Sequence, residues 1–183
     1  MYYDVIMAGF GGQGIMLIAD MLALVAMKEE RNVTWMPAYG VEMRGGTANV
    51  TVILSDNRVS SPVLNEFDTA ILLNQQSVDK FESKVKPGGL LVYDGNGITT
   101  HPSRKDISIF RVDAADAAAK MSTTRTFNMI VLGGYLKIKP VVKLENVLEG
   151  LKKSLPARYH HLIPVNEEAI KRGMEIIHEV AEA

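Results

Sequence analysis

The sequence contains no cysteine. That excludes a disulfide framework, a thiolate zinc site, a cysteine-ligated iron–sulfur cluster and a catalytic thiol. If the protein takes part in electron transfer, its iron–sulfur centres lie on another chain. A basic surplus is also missing, the formal net charge being -1, so nothing argues for nucleic acid. No long hydrophobic run is present: the longest, Ile15 to Met27, is broken by Asp20 and is too short to cross a bilayer. The start carries Asp4 and no basic segment of the kind that opens a signal peptide, so the expected location is cytoplasmic, with no membrane partner. There is no G-x-S-x-G nucleophile elbow, no P-loop with its lysine and no recognisable acid–base carboxylate pair. Lack of a self-sufficient catalytic set fits a subunit better than a complete enzyme.

The 183 residues, 47% hydrophobic and 22% charged, suit one globular domain over 1–183, with a core over 1–140 and C-terminal helices over 141–183. That domain is organised around its start. The apolar run Asp4-Val5-Ile6-Met7-Ala8 breaks at a glycine cluster and resumes as a long apolar helical stretch. Gly9, Gly11 and Gly14 fit G-x-G-x-x-G, which needs glycine for a tight turn, for backbone approach to a ligand and for helix–strand packing. Free N–H groups and the helix dipole at such a turn favour an anion. A dinucleotide site should carry an acid roughly 20 residues on, after the second strand, to hold a ribose hydroxyl. Here that strand, Val33 to Met36, runs into Pro37-Ala38-Tyr39, and Glu29 and Glu30 precede it. NAD is therefore disfavoured. An anion cradle and a turn that merely packs a helix on a sheet both stay open.

Strands are expected at 3–8, 32–36, 47–54, 69–73, 90–93 and 107–112, and helices at 12–28, 77–84, from Asp113 through an alanine-rich stretch, from Asn128 to about Ile138, at 143–154 and at 166–181. Asp113 is the expected cap of the alanine-rich helix. The helix 12–28 is apolar almost all round, as for a helix buried between the sheet and another layer or a partner chain. Alternation over 47–54 suggests an antiparallel edge strand in a mixed sheet. The fold class is thus α/β, a layered α/β/α Rossmann-like domain with a mostly parallel, mixed sheet.

Ligands in such sheets bind beyond the carboxyl ends of the strands. Three stretches fall there: the glycine loop 9–14, the aperiodic segment 37–46, and Asn74-Gln75-Gln76. Within 37–46, Glu42 and Arg44 flank Met43. An arginine fork can hold a phosphate or carboxylate, pair with Glu42 to order the loop, or dock on a partner. Asp94-Gly95-Asn96 matches part of a thiamine-diphosphate magnesium motif but lacks its remaining asparagines, and reads as a turn. His160 and His161, being adjacent, cannot easily share a metal, and no glutamate completes a zinc spacing. They read as surface residues, as do His101 and His178, so no metal site is expected.

Gly9-Phe10-Gly11-Gly12-Gln13-Gly14, the stretch from Trp35 to Val52 containing Glu42-Met43-Arg44-Gly45-Gly46-Thr47-Ala48-Asn49, and Asn128-Met129-Ile130-Val131-Leu132-Gly133, in this order and spacing, resemble the gamma subunit of 2-oxoacid:ferredoxin oxidoreductases. The likeness runs to about residue 153 and extends to one domain of the single-chain pyruvate enzyme. It implies a complex that converts a 2-oxoacid, coenzyme A and oxidised ferredoxin into an acyl-CoA, carbon dioxide and reduced ferredoxin. Thiamine diphosphate with magnesium would lie on alpha and beta subunits. Iron–sulfur clusters would lie on beta or on a ferredoxin-like delta chain. This chain would contribute to coenzyme A binding and assembly and carry no catalytic residue. The Glu42–Asn49 form is most similar to 2-oxoglutarate enzymes, giving succinyl-CoA, with 2-ketoisovalerate and then indolepyruvate or pyruvate complexes as alternatives. On this resemblance Gly11, Gly12, Gln13 and Gly14 would approach a coenzyme A phosphate, Glu42 and Arg44 would stand by it, and Asn74 and Gln75 would line the same crevice. An interaction subunit with no ligand of its own is the competing expectation.

Overall fold

The computed structural model describes residues 1–40, 46–121, 126–154 and 157–180. In chain order these form β1 (Tyr2–Phe10), α1 (Ile15–Lys28), β2 (Asn32–Tyr39), β3 (Thr47–Ser55), β4 (Phe67–Leu72), α2 (Gln75–Phe81), β5 (Val85–Asp94), β6 (Ser108–Val112), α3 (Ala114–Lys120), α4 (Phe127–Ile138), α5 (Leu144–Ser154), a 3-10 segment Ala157–Leu162, α6 (Ile163–Ile176) and β7 (His178–Glu179). The sheet order is β2-β3-β1-β4-β5-β6-β7. β1, β4, β5 and β6 run parallel, whereas β2, β3 and β1 pair antiparallel in succession, as do β6 and β7.

The sheet is covered on both faces, which is why its central strands read as unbroken apolar runs. Successive side chains of a strand point to opposite faces. β1 accordingly sends Val5 and Met7 into the larger core, with α1, α3, α4, α5 and α6, and Ile6 and Ala8 into the smaller one, with Val78 and Phe81 of α2. A mixed α/β sheet, parallel at its centre and flanked by helices, is the Rossmann-like arrangement expected.

Two features fix the layers. At the amino ends of the parallel strands, the fully buried Asp4 carboxylate accepts the Asp68 N–H at 2.6 Å and the Lys86 ammonium at 2.9 Å, and Lys86 also meets Asp68 at 2.8 Å. Over the larger core, α4 and α6 cross backbone to backbone. A Cβ on Gly133 would lie inside the van der Waals envelope of the Ile170 carbonyl, and one on Gly173 inside that of the Ile130 carbonyl.

Several expectations need correction. The 47–54 strand is antiparallel but internal, because β2, which runs on to Tyr39, covers it and forms the edge. The first helix starts at Ile15, residues 11–14 being held in the glycine turn. Helix α2 starts at Gln75, since Asn74 caps it, and ends at Phe81 in a 3-10 turn over Glu82–Lys84. The last helix is Ile163–Ile176, with Pro164 in its first turn, and Ile177 turns extended to lead into β7. Asp113 makes no cap bond: Asp94, from the end of β5, accepts the first two N–H groups of α3, and Asp113 pairs with Arg111 at 2.7 Å.

Candidate functional site

The parallel strands end along one rim, and the glycine turn sits there. Gly9 has no room for a side chain: a Cβ would come 2.5 Å from the Gln13 amide oxygen and 3.2 Å from Leu73 Cβ. The Gln13 side chain fastens the turn, accepting the Phe10 N–H at 2.6 Å and donating to the Leu73 carbonyl at 3.0 Å, which joins the ends of β1 and β4. Gly12 and Gly14 have φ of 107° and 78°, in the left-handed region that favours glycine. Gly14 also lies against α4, where a Cβ would come 2.6 Å from Asn128 Nδ2.

The hydrogen bonds of the turn separate structural N–H groups from available ones. Gly11 donates to the Gly46 carbonyl at 2.9 Å, and Gln13 to the Phe10 carbonyl at 3.1 Å. Helix α1 opens without a side-chain cap, and among the described residues the Gly12 and Gly14 N–H groups meet no acceptor. A helix N-terminus with uncapped N–H groups is an anion-compatible end.

Beside it is an open cavity of about 550 Å³. Gly12, Gln13 and Gly14 form one wall, Phe127 and Asn128 of α4 another, and Asp94, Asn96, Ala115 and Ala118 the third. Asp94 is buried; burial pushes its carboxyl up to about 6, while N–H groups of Ala115, Ala114 and Asn96 pull the other way. Among the described lining residues there is no lysine or arginine, so an anion here would be met by backbone N–H groups and amide side chains.

The structure brings Gly11, Gly12, Gln13 and Gly14 together and leaves two expected neighbours out. Asn74 is buried as the cap of α2, its Oδ1 accepting the Ser77 N–H at 2.8 Å, and its Nδ2 has no hydrogen-bond partner among the described residues. Gln75 braces the 99–100 turn, accepting from Thr99 and Thr100 N–H at 2.9 Å each. Neither is among the residues that line this cavity. Glu42 and Arg44 lie outside the described residues. His160 and His161 are exposed, and among the described residues no group of three or more His, Asp or Glu could hold a metal ion. Asp94 and Asn96, which the sequence reads as a turn, and Asn128, which it reads as a helix start, line the cavity. The available signal was position, since Asp94 closes a buried strand at the rim where ligands bind.

A glycine turn that opens a helix onto a cavity at the carboxyl rim of a mixed sheet defines a class, the Rossmann-like α/β domains with an anion-compatible first turn. Within it, this chain belongs to the pyruvate ferredoxin/flavodoxin oxidoreductase family, whose sequence profile matches residues 4–176. This bears out the resemblance seen in the three motifs. The chain is 34% identical, over 92% of its length, to the ketoisovalerate oxidoreductase subunit VorA of Methanothermobacter thermautotrophicus, and spans only 35% of that relative. It is 29% identical to the 2-oxoglutarate synthase subunit KorC of Methanothermobacter marburgensis, covering 96% of this chain and 97% of KorC. Its fold matches the 2-oxoglutarate:ferredoxin oxidoreductase of Magnetococcus marinus, solved with 2-oxoglutarate, coenzyme A and succinyl-CoA bound, at a TM-score of 0.87 and 22% identity, over 96% of this chain and 31% of that one.

Proposed function

We propose that this chain is the gamma-type subunit of a 2-oxoacid:ferredoxin oxidoreductase and that its glycine turn receives a phosphate of coenzyme A. The observation that carries the reading is the pair of N–H groups, Gly12 and Gly14, without an acceptor among the described residues and beside a cavity of about 550 Å³. Its dimensions suit part of a large ligand. The coenzyme A bound to the Magnetococcus marinus enzyme supports the reading. Arg44 is the residue we assign to supply the positive charge that the described lining lacks, with Glu42 ordering it.

In this reading thiamine diphosphate, magnesium and the iron–sulfur clusters reside on partner alpha, beta or delta chains, and ferredoxin takes the electrons. The present chain binds, orients and helps assemble. For the substrate we propose 2-oxoglutarate, because the KorC relative matches end to end. 2-Ketoisovalerate is the second reading, favoured by the higher identity to VorA.

The test is reconstitution with the companion chains, followed by assays with each 2-oxoacid and calorimetric titration of coenzyme A. Activity should require this chain, and Arg44→Ala should weaken coenzyme A binding by about tenfold, as for loss of one charge-assisted contact. Unchanged affinity in both Arg44→Ala and Gly12→Ala would move the ligand away from the turn. Full activity without this chain would overturn the subunit assignment.

A further inference from the structure

Helix α1 is less uniformly buried than its composition predicts. Ile15, Ile18, Met21, Leu22 and Val25 enter the core, but Leu17, Asp20, Leu24 and Met27 face outward. Their spacing of three, four and three residues places them in one stripe, about 15 Å long at the helical rise. Leu17 is 43% exposed, Leu24 52% and Met27 60%. Beside the stripe, Trp35 of β2 is 40% exposed on the α1 side of the sheet, opposite the core residue Val52. An open groove of about 490 Å³ runs between Trp35, Met16, Leu17 and Asp20 and reaches Gly11 and Gly12. Large outward apolar side chains aligned on one helix face mark an interaction surface.

The charge in the stripe identifies the kind of occupant. Asp20 has no ion-pair or hydrogen-bond partner among the described residues, and partial burial lifts its carboxyl above the usual range. A second copy related by a two-fold axis would meet this surface with the same surface. Lys28, one turn beyond Leu24, is engaged by Glu149 and Asn146, so a short stripe paired with its own copy about its middle would bring two unpaired Asp20 carboxylates near one another as their water is removed. A different chain, apolar around a lysine or arginine, relieves both the exposure and the lone charge. The family also contains this domain in both arrangements, as nearly the whole of KorC and as 35% of VorA, where further chain is attached.

Resting on the subunit reading above, we infer that the Leu17–Asp20–Leu24–Met27 stripe with Trp35 is the face on which another subunit of the oxidoreductase seats, with a cationic side chain against Asp20. Because the groove reaches Gly11 and Gly12, that subunit also walls one side of the glycine turn.

The experiment is purified full-length chain titrated with the purified companion subunits, as wild type and as Leu24→Asp, Met27→Asp, Asp20→Lys and, as a control off the stripe, Val63→Asp. Circular dichroism and urea midpoints check folding; these side chains are exposed, so midpoints should hold. Each stripe variant should weaken association at least about 30-fold, the size of a central interface residue, while Val63→Asp and Asp20→Glu leave it within about threefold. Wild type that does not associate would overturn the subunit reading. Association of wild type and stripe variants with equal affinity would overturn only the docking face. Light scattering that finds a dimer of the isolated chain, dissociated by Leu24→Asp, would overturn the choice of occupant.

Discussion

Asp94→Asn should abolish a pH dependence of stability that the fold builds into one side chain. Burial raises the Asp94 carboxyl from 3.8 to about 6. The native state therefore holds this proton more tightly than the unfolded chain. The sign follows: the contribution to stability is complete below pH ~4, falls as pH rises from ~4 to ~6, and stays lost above that. Two units at about 1.4 kcal/mol each give about 3 kcal/mol. Asparagine mimics the protonated acid, keeping one oxygen for the Ala114 and Ala115 N–H groups and placing an amide NH₂ where the acid would carry its O–H. Wild type and variant should thus be within about 1 kcal/mol at pH 4. At pH 7 the comparison should have moved by about 3 kcal/mol in the variant's favour. Urea unfolding of both proteins at half-unit steps from pH 4 to 7 reads this directly, with equal m-values as the two-state check. Other carboxylates titrate in both proteins and cancel in the difference. A constant offset across the range would refute the argument, because it would mean that Asp94 ionises alike folded and unfolded.

Four further outcomes follow from the same geometry. Anion affinity at the cavity should fall as pH rises through ~6 in wild type, where Asp94 becomes charged, and the step should be missing in Asp94→Asn; phosphate titrations at pH 5.5 and 7.5 check it. Gly133→Ala should destabilise by about 1–3 kcal/mol, reversing the ~1 kcal/mol gain alanine normally brings to a helix, because its Cβ meets the Ile170 backbone. Gly134→Ala, whose Cβ comes only within 3.2 Å of the Ile177 Cδ1 methyl, should stay within about 1 kcal/mol of wild type, so equal thermal shifts would contradict the packing. Lys86→Ala should cost about 2 kcal/mol at pH 7, discounted for a lysine that is one-third exposed, and less as pH falls and Asp4, whose carboxyl burial raises, takes up its proton; denaturation at neutral and acid pH tests it.

Much of this architecture could be read from the chain because the signals were local. The run from Asp4 to Gly14 announces its strand, turn and helix through consecutive residues. Features made by distant residues could not be read. Thr47–Leu54 alternates in a way that suits either an edge or an inner strand, and only the pairing of β2 decides. Asp113 stands where a cap belongs, but Asp94 reaches the same N–H groups from 20 residues away. The cavity wall draws Asp94 and Asn128 from separate elements. For α1, composition predicted burial, while the exposed stripe emerged only once its packed side was known.

The hydrogen bond from the Gly11 amide to the Gly46 carbonyl makes the glycine turn observable from a single proton. Gly11 lies between the Phe10 end of β1 and the available N–H groups, and its acceptor immediately precedes β3. Its exchange with deuterium can proceed only when the turn and the entry to β3 part. Protection at this one amide therefore reports the opening free energy of the loop. A ligand cradled by Gly12 and Gly14, or a chain seated along α1, would lengthen its exchange time without having to touch it.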